Sequence, residues 1–142
     1  MANGSSVAGR WTYRSYLNSA ELVTDADSAL AMIFGQGAFT FETPLSATLK
    51  GTFDMGGGLV LDPEGSVRQG DKTCPLTVEI NGYGRLGTAT DGWQYDYYGF
   101  LAHPWPSGVN QVPALVGTVI RAKPHNGGAA GVTASFIAVK HA

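Results

Sequence analysis

Glu79, Asp96, Tyr97 and Arg121 are the side chains in this sequence best suited to acid–base chemistry. A carboxylate taken out of water has its pKa raised and can act as a general base near neutrality. A tyrosine hydroxyl or a guanidinium beside it can stabilise an enolate or oxyanion by hydrogen bonding. That combination serves a cofactor-independent isomerase, cyclase or lyase. A second set, Tyr13, Phe53, Tyr83, Trp93, Tyr95 and Trp105, suits a different task. Large rings with few charges nearby make a pocket for a small apolar or aromatic molecule. The competing reading for each charged residue is an outward-facing side chain or a satisfied cross-strand pair. Glu79 and Arg85 share a strand face but stand about 20 Å apart along it, too far to pair directly.

The remaining reactive types form no recognisable motif. His103 and His125 fall in loops after successive strands, which lie at opposite ends of an up-and-down barrel, so they do not share a metal. The spacing of histidines and carboxylates matches no metal-binding pattern, and no cofactor is expected. Asn126-Gly127-Gly128 is glycine-rich, but no helix follows to make a phosphate loop. Cys74 is the only cysteine, which excludes an intrachain disulfide, and no adjacent base would activate it.

The elements that must position these residues are strands. The stretch Asp91 to Pro106 holds two of the three Trp and three of the six Tyr. At period 2 it sets Trp93, Tyr95, Tyr97 and Leu101 on one face, and Gln94, Asp96, Tyr98 and Phe100 on the other. Twenty glycines and seven prolines punctuate similar runs rich in Val, Thr, Phe and Tyr along the whole chain. The pattern predicts strands over 10–16, 37–43, 46–55, 59–68, 76–85, 93–102, 112–123 and 132–140. Pro63-Glu64-Gly65 could interrupt the fourth. Residues 29–34 are read as a short helix or lid-like turn, capped by Asp27 or Ser28, with the start of the next strand as the alternative. The alternating face Ala47, Leu49, Gly51, Phe53 and Met55 is expected to point inward or into an interface.

Eight strands with short connections suit antiparallel neighbours, and closing them into an up-and-down β-barrel removes the exposed edges. A β-sandwich is the alternative. Residues 1–8 read as a flexible lead-in, and 9–140 as a single barrel domain. Such a barrel is just wide enough for one small ligand. Leu115, Val116, Val119 and Ile120 cannot all point one way, so part of the outer wall is also apolar. That predicts a homo-oligomer.

Gly9-Arg10-Trp11 opens the first strand, and a long first loop and then short hairpins follow. This arrangement resembles the calycin superfamily, the lipocalin- and avidin-like barrels whose first strand carries a Gly-x-Trp. The resemblance implies that Trp11 closes one end of the barrel, with Arg121 or Lys140 packed across it. It implies architecture only, because one barrel hosts many chemistries.

Composition narrows the partners. Charged residues make up 14% of the 142 residues and the net charge is −2, with Lys and Arg scattered. That is no electrostatic footprint for nucleic acid. No apolar run approaches the length of a membrane-spanning helix, and the first ten residues lack the parts of a secretory signal. The expectation is a cytoplasmic protein whose partner is a small-molecule ligand or substrate.

Overall fold

A computed structural model describes residues 7–20 and 25–141. Its elements are β1 (Gly9–Leu17), α1 (Ala26–Ala31), β2 (Ile33–Phe41), β3 (Thr48–Asp54), β4 (Val60–Arg68), β5 (Thr77–Gly84), β6 (Gln94–Leu101), β7 (Ala114–Arg121) and β8 (Thr133–Lys140). The eight strands follow one another around a closed barrel, each antiparallel to the next. β8 returns to β1 in register from Trp11 opposite Lys140 to Leu17 opposite Ala134, so no sheet edge is left open. This is the barrel and not the sandwich.

Alternation explains the ring. In β6, Tyr97 and Gly99 are buried while Tyr98 and Phe100 are exposed. In β7, Leu115 and Val119 point in and Thr118 and Ile120 point out. In β3, Leu49 and Phe53 are buried, but Ala47 leaves the expected inward face. It lies in the preceding turn with φ 69°. β4 runs unbroken through Pro63. The β3–β4 ladder has no paired residues between Lys50–Glu64 and Phe53–Leu61, so the missing N–H of Pro63 costs that ladder no bond.

The apolar run at 29–34 divides. Its alanines finish a helix that starts earlier than expected, capped by Asp25, whose carboxylate accepts from the Ser28 backbone N–H and hydroxyl. Ile33 and Phe34, β-branched and aromatic, open β2, with Ile33 paired to Tyr16. Residues 1–6 and 21–24, including most of the anticipated lead-in and part of the first loop, lie outside the described residues. Val7, also assigned to the lead-in, is instead buried, and its carbonyl accepts from Trp11 Nε1 at 2.8 Å.

Aromatic rings fill the middle of the barrel. Tyr13 is the hub, with ring centroids 5.0 Å from Phe53, 5.4 Å from Phe39, 5.5 Å from Phe136 and 5.9 Å from Tyr97. Gly99 makes this packing possible, because a Cβ there would lie 2.7 Å from Phe136 Cζ. A barrel of this size is filled by side chains unless its inward residues are small, and here the five that meet at its centre, Tyr13, Phe39, Phe53, Tyr97 and Phe136, are all aromatic.

Candidate functional site: the two ends of the barrel

The ends differ. At the end where β1 begins, Trp11 is fully buried and the Lys140 ammonium lies 5.8 Å from its ring centroid. A cation over an indole face is a favourable contact that also seals apolar surface from water. Of the two residues expected to pack across Trp11, Lys140 does. Arg121 is at the opposite end.

That opposite end carries the candidate site. β7 pairs with β6 so that Arg121 lies directly beside Tyr95. The β7–β8 connection then folds back in a tight turn. Asn126 at φ 48° and Gly127 at φ 77° both take the left-handed conformation, with His125 and Gly128 hydrogen-bonded through their backbones. Asn-Gly is the sequence signature of this two-residue hairpin turn. The turn lays His125 over Trp93, and the His125 Nε2 meets the Tyr95 hydroxyl in a short hydrogen bond. Arg121 Nε donates to the same hydroxyl at 3.4 Å, and Nη1 donates to the Ala129 carbonyl at 3.2 Å. The guanidinium lies 5.1 Å from the Phe34 ring centroid. A Cβ on Gly128 would come within 2.6 Å of Nη1, so only glycine leaves the guanidinium its present place.

Two arrangements satisfy the Tyr95–His125 bond while Tyr95 accepts from Arg121: Tyr95 donates to Nε2 with the imidazole hydrogen on Nδ1, or Nε2–H donates to the same hydroxyl oxygen. That Nδ1 is buried without a partner among the described residues. Burial and the positive charge of Arg121 both lower the His125 pKa, burial more, so the ring is held neutral.

Beneath this cluster the aromatic packing leaves a cavity of about 40 Å³, bordered by Tyr13, Phe34, Phe53, Met55, Tyr95 and Tyr97, with Ser15 supplying a hydroxyl. It has room for a water molecule or the edge of a ring, and it is far below the volume that holds a whole drug-sized ligand. Burial raises the pKa of both Tyr13 and Tyr97. Their hydroxyls therefore stay protonated.

The remaining predicted site residues lie elsewhere. Glu79 and Asp96 border a depression of about 490 Å³ on the outer wall, together with Asn81, Tyr98 and Ile120. Asp96 accepts from Asn81 Nδ2 at 2.8 Å and from Gln94 Nε2 at 3.0 Å. Both carboxylates sit at outward positions of the alternation, so the structure does not bring them together with Tyr97 or Arg121 inside the barrel. Tyr83 is also outward, on β5. Arg85 pairs across the wall with Asp62, its Nη2 at 2.9 Å from the carboxylate. Trp105 stands 65% exposed at the Trp11 end, its backbone clasped by the Gln111 amide. Of the predicted binding residues, Tyr13, Phe53 and Tyr95 border the small cavity and Trp93 lies under His125 beside it; from the acid–base set, Tyr97 borders the cavity and Arg121 lies above it next to Tyr95.

Sequence reasoning passed over Phe34 and His125. Phe34 falls in a run read first as a helix or lid-like turn and second as a strand opening, the second being its place in β2. His125 was weighed only as a metal ligand, although Asn126-Gly127 carried the turn signal that places it. The chain matches no protein-family model, no curated protein and no solved structure.

Proposed function

We propose that this barrel binds a small apolar or aromatic molecule at the end built from Phe34, Trp93, Tyr95, Arg121 and His125. The observation that carries this reading is the aromatic-lined cavity directly beneath a polar cluster. Binding sites are mostly apolar, with a few placed polar groups that orient the ligand. The cavity admits the edge of one ring, and a ligand makes the rest of its contacts with Phe34 and Tyr95 at the mouth. The Gly-x-Trp, the buried Trp11 and Lys140 across it support a calycin-like placement of the fold, in which one end is plugged and the other receives ligand. The acid–base alternative is less well supported, because Asp96 and Glu79 lie on the outer wall. The test is a fragment titration followed by amide chemical shifts. Single-ring aromatic compounds should shift residues around Phe34, Tyr95 and His125. Shifts confined to the Trp11 end or the outer wall would reject the assignment.

We also propose that the outward face of β6, β7 and β8 associates with a second copy of the chain. The outward positions of β7 and β8 carry no ionisable side chain, and Tyr98, Phe100, Ile120 and Ile137 are each 38–48% exposed. On β6 the outward carboxylate is Asp96, already hydrogen-bonded by Asn81 and Gln94, so the face presents little charge to its own copy, and exposed apolar area of this kind marks an interaction surface. Sedimentation of the wild type should show a dimer or larger species that Ile137→Glu converts to monomer. A wild type that stays monomeric at high micromolar concentration would dismiss the proposal.

A further inference from the structure

The geometry points to a carboxylate on the ligand: we propose that Arg121 receives the anionic group of a small aromatic monocarboxylate whose ring rests against Phe34 and Tyr95. The inference rests on the reading of this end as the ligand mouth and adds the ligand's charge and class.

The argument begins with an uncompensated cation. Arg121 is half-buried, and among the described residues no carboxylate pairs with it; the ion pair there is Arg85 with Asp62. Its hydrogen bonds go to two neutral oxygens, the Tyr95 hydroxyl and the Ala129 carbonyl. Nη2 makes none among the described residues. A guanidinium withdrawn from water without an anion is unfavourable, and proteins ordinarily supply the partner. The planar fork suits a carboxylate, which takes two parallel N–H bonds.

The surroundings keep the fork in place. Phe34 lies under the guanidinium, Gly128 leaves room beside it, and Tyr95 holds Nε. An arginine immobilised before binding loses less rotamer entropy on binding. The neighbouring groups are also short of acceptors. Arg121 offers donors, Tyr95 is engaged on both sides, and the buried Nδ1 of His125 has no partner among the described residues. One cation beside a neutral imidazole matches a single negative charge better than a phosphate dianion. The aromatic rings beneath favour a ring attached to that charge.

The experiment titrates the protein near neutral pH with benzoate, benzyl alcohol, benzylamine and inorganic phosphate, using calorimetry and the Arg121 Nε–H resonance. Benzoate should bind at least about tenfold more tightly than benzyl alcohol, which corresponds to about 1.4 kcal/mol. It should also shift the Arg121 Nε–H signal. Arg121→Gln should abolish the preference while leaving benzyl alcohol binding in place. The shift in the unmodified protein gives an answer even if that variant fails to fold. Equal binding of benzoate and benzyl alcohol would overturn the anion inference and leave the ligand mouth standing. Binding of none of the aromatic compounds would overturn both. Phosphate binding as tight as benzoate would remove the aromatic part of the claim. Glu21, outside the described residues, provides the last control: Glu21→Gln should leave benzoate affinity unchanged. A tenfold gain would show that the chain supplies its own carboxylate to Arg121, and would overturn the proposal.

Discussion

The imidazole of His125 lies face to face with the indole of Trp93, ring centroids 3.8 Å apart and planes 17° from parallel. The contact joins the tip of the β7–β8 hairpin to Trp93, the residue just before β6. It couples the hairpin's position to the protonation of His125.

That coupling gives a pH dependence with a definite sign. The folded pKa of His125 is lowered, first by burial and then by Arg121. The unfolded chain takes up this proton near pH ~6.5, the folded chain only at lower pH. Between the two values the unfolded state holds more protons. Stability present above ~6.5 is therefore lost as the pH falls through that window. Thermal melts from about pH 7.5 to about 5.5 should show a larger fall for the wild type than for His125→Phe, which keeps a ring on Trp93 but does not titrate. Parallel falls would contradict the assignment.

Gly99→Ala tests the aromatic packing. The added methyl would lie 2.7 Å from Phe136 Cζ and 3.1 Å from the Val116 carbonyl. Overpacking of this kind costs about 1–3 kcal/mol. Differential scanning calorimetry should show a drop in Tm of several degrees. An unchanged Tm would mean that the Phe136 ring has free space beside it.

Phe53→Ala tests the opposite error. Phe53 is 2% exposed and stacked on Phe39 with centroids 4.3 Å apart. Removing the ring should cost about 3–5 kcal/mol in urea denaturation. It should also enlarge the cavity bordering Tyr13, so that benzene raises the Tm of the variant more than that of the wild type. A loss under about 1 kcal/mol would indicate that the neighbouring rings collapse into the space.

Asp96→Asn and Glu79→Gln separate the outer wall from the mouth. Both carboxylates are outward, and Asp96 is satisfied by Asn81 and Gln94. Each substitution should change stability by less than about 0.5 kcal/mol and leave aromatic-fragment affinity unaltered. A fall in fragment affinity of tenfold or more in either variant would move the binding site to the depression beside Tyr98.

Gly128→Ala addresses the arginine itself. A methyl 2.6 Å from Nη1 displaces the end of a flexible side chain and not backbone, so the fold should persist with a Tm change of a few degrees at most. The Arg121 Nε–H resonance should lose its hydrogen-bonded shift as the guanidinium leaves Tyr95. A wild-type spectrum at Arg121 in the variant would show that the fork is not held by that glycine.

The amino-acid sequence by itself determined the strands and their antiparallel succession, with a closed barrel as the simplest arrangement and a sandwich as the alternative. Period-2 alternation in residues 93–101 or 76–83 has one regular solution, a pleated strand with two unlike faces, and short Gly- and Pro-marked connections make neighbours antiparallel. Trp11 as an end plug came only from the resemblance of Gly9-Arg10-Trp11 to the first strand of calycin barrels. What the tertiary structure decided was partnership. Tyr95 meets Arg121 because β6 and β7 pair in one register, and a slip of one residue would have put them on opposite faces. Asp96 and Glu79 fell outside because both faces of their strands are polar or aromatic in places, and alternation alone does not say which face curves inward. Phe34 and His125 reached the site from a strand opening read first as helix and from a hairpin tip. Their contacts cross from one strand or loop to another, and pairings of that kind depend on closure of the ring, which no local stretch of sequence encodes.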